Sequence, residues 1–145
     1  MAGASIDAME PLLLADIEAA VRSSWDADTT TPEYRSRWNP GNPARDQCGV
    51  TALVLHDLLG GELVRGEVRV GGRRVDYHWW NRLGMGVEID LTREQFAAHE
   101  KVVGGVVIER PAEIVRLRAE YELLRARVLE RLRGRIRTPG TVHPG

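Results

Sequence analysis

The sequence predicts an α+β fold in which N-terminal helices pack on a small antiparallel sheet of three to four strands and a long C-terminal helix closes the chain. Three observations lead there. Apolar residues recur every three or four positions in the stretches 11–21, 47–59 and 111–133, the period of helices with one buried face. Between the second and third stretches lie two β-prone runs joined by Gly71-Gly72, a hairpin signal. A further turn, Gly84-Met85-Gly86, returns the chain into a short third strand.

Taken in order, Leu12, Leu13, Ile17, Ala20 and Val21 mark an amphipathic helix, with Pro11 suited to its first turn and Asp16 and Glu18 on the other face. Residues 23–45 combine Thr29-Thr30-Thr31-Pro32 with Trp25, Tyr34 and Trp38 and read as a long loop, a feature that is often functional in a small domain. Trp25 and Trp38 are expected to pin that loop to the core, with substrate contact, at Trp38, as the lesser alternative. A helix begun at Gln47 should stop near Gly60-Gly61. Strands are expected at about 62–70, 74–83 and 87–91, as an antiparallel meander. Thr92-Arg93-Glu94-Gln95 fits a capping box opening a short helix whose Phe96 packs inward. Residues 102–108, split by Gly104-Gly105, read as an edge strand or an extended connection. From 111 to 133, Ile114, Leu117, Tyr121, Leu124, Val128 and Leu132 form one face, and arginine and glutamate fill most of the rest. That face spans only about three heptads, so packing on its own sheet is favoured over dimerisation.

At 145 residues and 43% hydrophobic content the chain suits one domain, read as 1–137 followed by a flexible tail, 138–145. A net charge of -1 gives no reason to expect nucleic acid or an acidic membrane surface as partner. Arg131, Arg133, Arg135 and Arg137 read as a solvated helix end, with phosphate or nucleic-acid binding the lesser alternative. The N-terminus shows no signal-peptide pattern, and no apolar run approaches the ~20 residues needed to cross a bilayer, so a cytoplasmic location is expected. One cysteine excludes an internal disulfide and a cysteine-cluster metal site. In a reducing compartment it also stays a usable thiol.

That cysteine carries the chemical reading. The segment Asn39-Pro40-Gly41-Asn42-Pro43 forbids regular structure, whereas Val50, Leu53, Val54 and Leu58 recur at helical spacing, so Cys48 falls in a helix's first turn. Unpaired amides and the positive end of the helix dipole there should favour thiolate over thiol, and the same amides can hold an oxyanion. His78, in the middle of an aromatic strand, supplies a candidate base, and the following strand delivers Asp90 to fix the ring's tautomer.

The runs Gln47-Cys48-Gly49-Val50-Thr51-Ala52-Leu53-Val54, Asp57-Leu58-Leu59-Gly60-Gly61-Glu62-Leu63, His78-Trp79-Trp80-Asn81-Arg82-Leu83 and Glu88-Ile89-Asp90-Leu91-Thr92-Arg93-Glu94-Gln95-Phe96 resemble the YunG-like family of small bacterial proteins. Their order is in turn similar to papain-like and transglutaminase-like cysteine enzymes, with a helix carrying cysteine and antiparallel strands carrying histidine and aspartate. The resemblance covers roughly residues 39–96. It implies a papain-like or transglutaminase-like core, with Cys48 as nucleophile, His78 as general base and Asp90 as its orienter. Papain-type enzymes place an oxyanion-hole glutamine several residues before the cysteine, whereas here Gln47 is adjacent to it.

The function expected is covalent acyl transfer, by hydrolysis or transfer at an amide or thioester, on a small-molecule or peptide-like, small or terminal substrate and without a cofactor. The Cys48 amide and Gln47 are the candidate oxyanion donors, and Asn81 is a second candidate orienter. Trp79 and Trp80 project from opposite strand faces, so one is expected in the core and the other on a substrate slot. The alternative is a non-catalytic ligand- or protein-binding module on the same shell. A metal site of Cys48, His78 and Asp90 is disfavoured, since no compact ligand motif is present. The chain is expected as a monomer or homodimer.

Overall fold

The computed structural model describes residues 13–141, with side chains through Gly134. In chain order its elements are α1 (Leu14–Ser24), α2 (Cys48–Leu59), β1 (Glu62–Val70), β2 (Arg73–Arg82), β3 (Glu88–Ile89), β4 (Lys101–Ile108) and α3 (Arg118–Thr141), with single 3-10 turns at Ala27–Thr29, Pro32–Arg37, Gly84–Gly86 and Arg93–Gln95. The architecture is α+β, with one antiparallel sheet in the order β3-β2-β1-β4. The meander is present, and residues 101–108 resolve as a fourth strand beside β1.

The sheet follows from its turns. Gly71 and Gly72 both take positive φ, as a two-residue hairpin loop requires, and set Val70 opposite Arg73. Farther along β1, Gly66 pairs with His78, and the register with β4 slips between Arg65 and Glu67 where Gly104 and Gly105 bulge. The cause is one side chain: a Cβ at Gly66 would lie 2.8 Å from the Trp80 ring, and one at Gly105 3.0 Å from it. The glycines that interrupt both strands make room for that indole, which is 4% exposed.

Ile17, Ala20 and Val21 of α1, Val50, Val54 and Leu55 of α2, and Leu124, Val128 and Leu132 of α3 form one apolar core that also takes in Trp25, Ala44 and Ile89. Each fully buried aliphatic side chain contributes roughly 1.5–3 kcal/mol, so this three-helix seam outweighs the exposed ion pairs around it. Trp25 does pin its loop, donating its indole N–H to Thr51 Oγ1 at 2.9 Å. Arg127 ties α3 to the same loop through Asp28, and Arg131 donates to Ser24, so part of the basic run is engaged within the fold. The side chains of Arg135 and Arg137 lie outside the described ones.

Three expectations need correction. Leu13 precedes α1 and is exposed, because the helix begins one residue later; Pro11 and Leu12 lie outside the described residues. The C-terminal helix starts at Arg118 and not at 111, since Leu117 sits at φ 63, which ends the preceding turn and admits no helical register before it. Its backbone is helical to Thr141, and residues 142–145 of the expected tail lie outside the described chain. Thr92 makes no side-chain cap; Arg93–Gln95 is a single 3-10 turn, and Gln95 instead donates to the Thr92 carbonyl. Among the described residues no helix is long and apolar enough to cross a membrane.

Gly66→Ala should destabilise the fold by about 1–3 kcal/mol and so lower the urea midpoint, because the buried Trp80 ring cannot give way without disturbing its hydrogen bond to Glu88. An unchanged midpoint would mean that the indole is not what keeps position 66 small.

Candidate active site

The approach to Cys48 is a built turn. Asp46 adopts φ 61, a conformation that costs a non-glycine residue about 1–2 kcal/mol. It is held by Arg37, which forks onto both carboxylate oxygens at 2.9 and 3.0 Å, and by Gln95 Oε1, which accepts the Asp46 N–H at 3.0 Å. Gln95 also offers its carbonyl to Asn42 and Arg45, and Arg45 pairs bidentately with Glu100. The segment after β3 thus clamps the loop before α2. The chain turns there and Cys48 becomes the first helical residue.

Gln47 is fully buried and faces away from the thiol side. Its Nε2 donates to the Asp26 carbonyl at 3.0 Å and its Oε1 accepts from Thr29 Oγ1 at 2.8 Å. The oxyanion role expected of it is therefore not supplied; its carboxamide anchors the 26–29 turn. It makes no cap on the helix, so the first N–H groups of α2 carry no bond from that side chain.

Cys48 is half-buried on the wall of a cleft of about 560 Å³. Burial pushes its thiol up to about 12, against the Trp79 backbone N–H directed at the sulfur; Asp76, Asp90 and Asp46 raise it further. Burial and the nearby carboxylates thus act against the depressed thiol expected from the helix terminus.

His78 is the residue before Trp79 and is completely buried. Its Nε2 lies 2.9 and 2.8 Å from the two oxygens of Asp90. Burial acts to raise the Asp90 carboxyl, but His78 and the Arg93 guanidinium, 2.7 Å away, together hold it below the usual carboxylate range. An ionised carboxylate only accepts, so Nε2 carries the proton and donates it. In the neutral ring Nδ1 is then a bare lone pair, and among the described residues it has no hydrogen-bond partner. Trp80 stacks on the imidazole at 5.5 Å and Phe96 meets it edge-on at 4.9 Å, which fixes the ring. Because β3 pairs only with Asn81 and Arg82, the edge of β2 beside Trp79 has no strand next to it, and there the start of α2 meets β2.

The remaining candidates separate clearly. Trp79 lines the cleft. Trp80 is the core member of the pair: it is buried and bonded to Glu88, so substrate contact is not its place. Trp38 donates to the Pro43 carbonyl within its own loop and is not on the cleft wall. Asn81 donates to the Ala52 carbonyl, tying β2 to α2, and does not orient His78. Among the described residues no group of three His, Cys, Asp or Glu side chains is arranged to hold a metal. Sequence reasoning missed the roles of Gln95, whose partner Asp46 lies 49 residues away, and of Arg37, nine residues from the same aspartate across an irregular loop.

A family model described as YunG protein matches residues 13–133. The chain is also similar to the Bacillus subtilis (strain 168) protein named "Uncharacterized protein YunG", 34% identical over 84 residues, which cover 57% of this chain and 62% of that relative. The match therefore spans less than two thirds of the relative's length. No solved structure matches the chain.

Two outcomes test this geometry. Gln47→Ala should cost about 2 kcal/mol in urea unfolding, because it removes two buried hydrogen bonds to the 26–29 turn and the carboxamide that fills the space between them. A loss of reactivity at unchanged stability would restore Gln47 to the thiol side. For Asp90 the folded carboxyl titrates below the unfolded one, so the unfolded chain takes up the proton first; its stabilisation is complete above the unfolded value and drains as pH falls through the lower folded one. Wild type should lose stability below about pH 4, near the ordinary aspartate value. Asp90→Asn should flatten that acid limb in unfolding measured from pH 7 to 2.

Proposed function

The chain belongs to the YunG family, and from its cleft we propose a cysteine-dependent acyl-transfer enzyme acting on an amide or thioester of a small or terminal substrate through Cys48, His78 and Asp90. One observation carries the reading. Cys48 and Trp79 line one cleft, while His78, the residue before Trp79 on β2, is locked by Asp90 through Nε2 and keeps an unpartnered, buried Nδ1. A buried lone pair without a partner is costly to a structural histidine and useful to a base.

Since burial raises the thiol, its deprotonation is assigned to the attack itself. Cys48 Sγ forms a bond to the carbonyl carbon as its proton passes to His78 Nδ1. The carbonyl oxygen gathers negative charge, for which the uncapped N–H groups at the start of α2 are suited. Collapse breaks the bond to the leaving nitrogen or sulfur, which takes the proton from Nδ1. Water or an amine then resolves the acyl-enzyme by the same exchange in reverse. Asp90, kept ionised by Arg93, supports the ring while Nδ1 carries the proton. A papain-like or transglutaminase-like core belongs to this proposal and rests on the order of cysteine helix, histidine strand and aspartate.

The raised thiol favours a second reading, in which the cleft binds a small ligand without turnover. The two part on an acyl adduct. Incubation with an S-acetyl thioester should add one acetyl group to Cys48 by mass spectrometry in wild type and about a hundredfold more slowly in His78→Ala. Iodoacetamide labelling should rise toward alkaline pH with no plateau near neutrality, and it should be slower in His78→Ala at pH 7. An acetylation rate indifferent to His78 would leave the binding module.

A further inference from the structure

Half of the charged side chains lining the cleft are paired with one another, while Glu33, Asp76, Arg65 and Arg116 make no ion pair among the described residues. Arg37 is taken by Asp46 and Arg45 by Glu100. Arg65 differs: it lines the same cleft, it is half-buried, and no ion pair joins it to a carboxylate among the described residues. Its guanidinium lies instead over aromatic faces, 4.3 Å from the Tyr77 ring centre and 5.9 Å from that of Trp79. Stacking of this kind holds the planar fork in place and leaves its N–H edge free, the preorganised form in which arginine takes a carboxylate or phosphate in two parallel hydrogen bonds.

Trp79 connects this cation to the chemistry. Arg65 is its cross-strand partner, so the guanidinium lies over the Trp79 ring, and both residues share the cleft wall with Cys48. Asp76, on the other face of β2 by alternation, lines the same cleft and accepts the Tyr77 N–H. Arg116, exposed on the same lining, likewise makes no ion pair among the described residues.

Resting on the acyl-transfer reading, we propose that the substrate carries an anionic group, a carboxylate or a phosphate, a short distance from its reactive carbonyl, and that Arg65 is the residue that selects it.

The probes are 3-bromopropionate and 3-bromopropionamide, which differ only in charge, with alkylation of Cys48 followed across reagent concentration in wild type, Arg65→Gln, Arg65→Lys and His78→Ala. In wild type the acid should half-saturate at a lower concentration than the amide. In Arg65→Gln that half-saturating concentration should rise about tenfold, the loss expected for one charge-assisted bond, and in Arg65→Lys by less. His78→Ala should lower the maximal rate for both reagents, so a failure of the nucleophile reading shows in the maximum and a failure at Arg65 in the half-saturation. Equal half-saturation by acid and amide, or an acid value unmoved in Arg65→Gln, overturns the proposal. Succinate and inorganic phosphate, added as competitors, separate the two anions; stronger protection by one assigns its class, and protection by neither overturns the proposal.

Discussion

A fully buried imidazole in the middle of a sheet strand is the constraint around which this fold is arranged. Burying such a group without a partner costs a few kcal/mol, and Asp90 removes most of that cost by accepting the Nε2 proton. Much else follows from delivering that one carboxylate. The Gly84–Gly86 turn and the two-residue β3 bring it back beside β2, Arg93 keeps it ionised, and Trp80 and Phe96 close over the ring. Gly66 and the Gly104-Gly105 bulge exist in turn to admit Trp80. Local weaknesses in β1 and β4 thereby become conditions of the histidine's position.

The second organising contact lies between chain segments that sequence separates. Gln47 ties the start of α2 to the 26–29 turn, and Gln95 ties the loop before α2 to the segment after β3. Both are buried amides, each using donor and acceptor in opposite directions, and together they fix where Cys48 begins its helix. Left-handed backbone at Asp46 and Leu117 borders the same cleft, and such strain persists only where the surroundings over-determine it. The cleft wall is therefore the most heavily constrained part of the loop structure.

How far the sequence could be read depended on whether the determining contact was local. Glycine pairs at 60–61 and 71–72 act through backbone conformation alone, so the end of α2 and the hairpin were readable to within a residue or two. Apolar spacing located α2 and the Leu124, Val128 and Leu132 face of α3. The start of α3 was not readable, because Ile114 and Leu117 keep the helical rhythm while the backbone at Leu117 breaks it. Gln95 looked like half of a capping box and is used instead by a loop 49 residues away. Adjacency misled at Gln47, where a position next to the cysteine says nothing about the direction of the side chain. At Cys48 the helix-terminus argument was sound but incomplete, since burial and three carboxylates act against it. Arg65 drew no attention at all, for an alternating strand position does not reveal that a cation lacks a counter-ion.

The raised thiol has a consequence outside catalysis. Oxidants attack the thiolate, and peroxide reaches sulfenic acid only through that form. A thiol raised by burial is slow toward peroxide, toward disulfide exchange with the glutathione pool and toward a second copy of the chain. The burial that slows attack on a carbonyl slows oxidation as well, since both run through the thiolate.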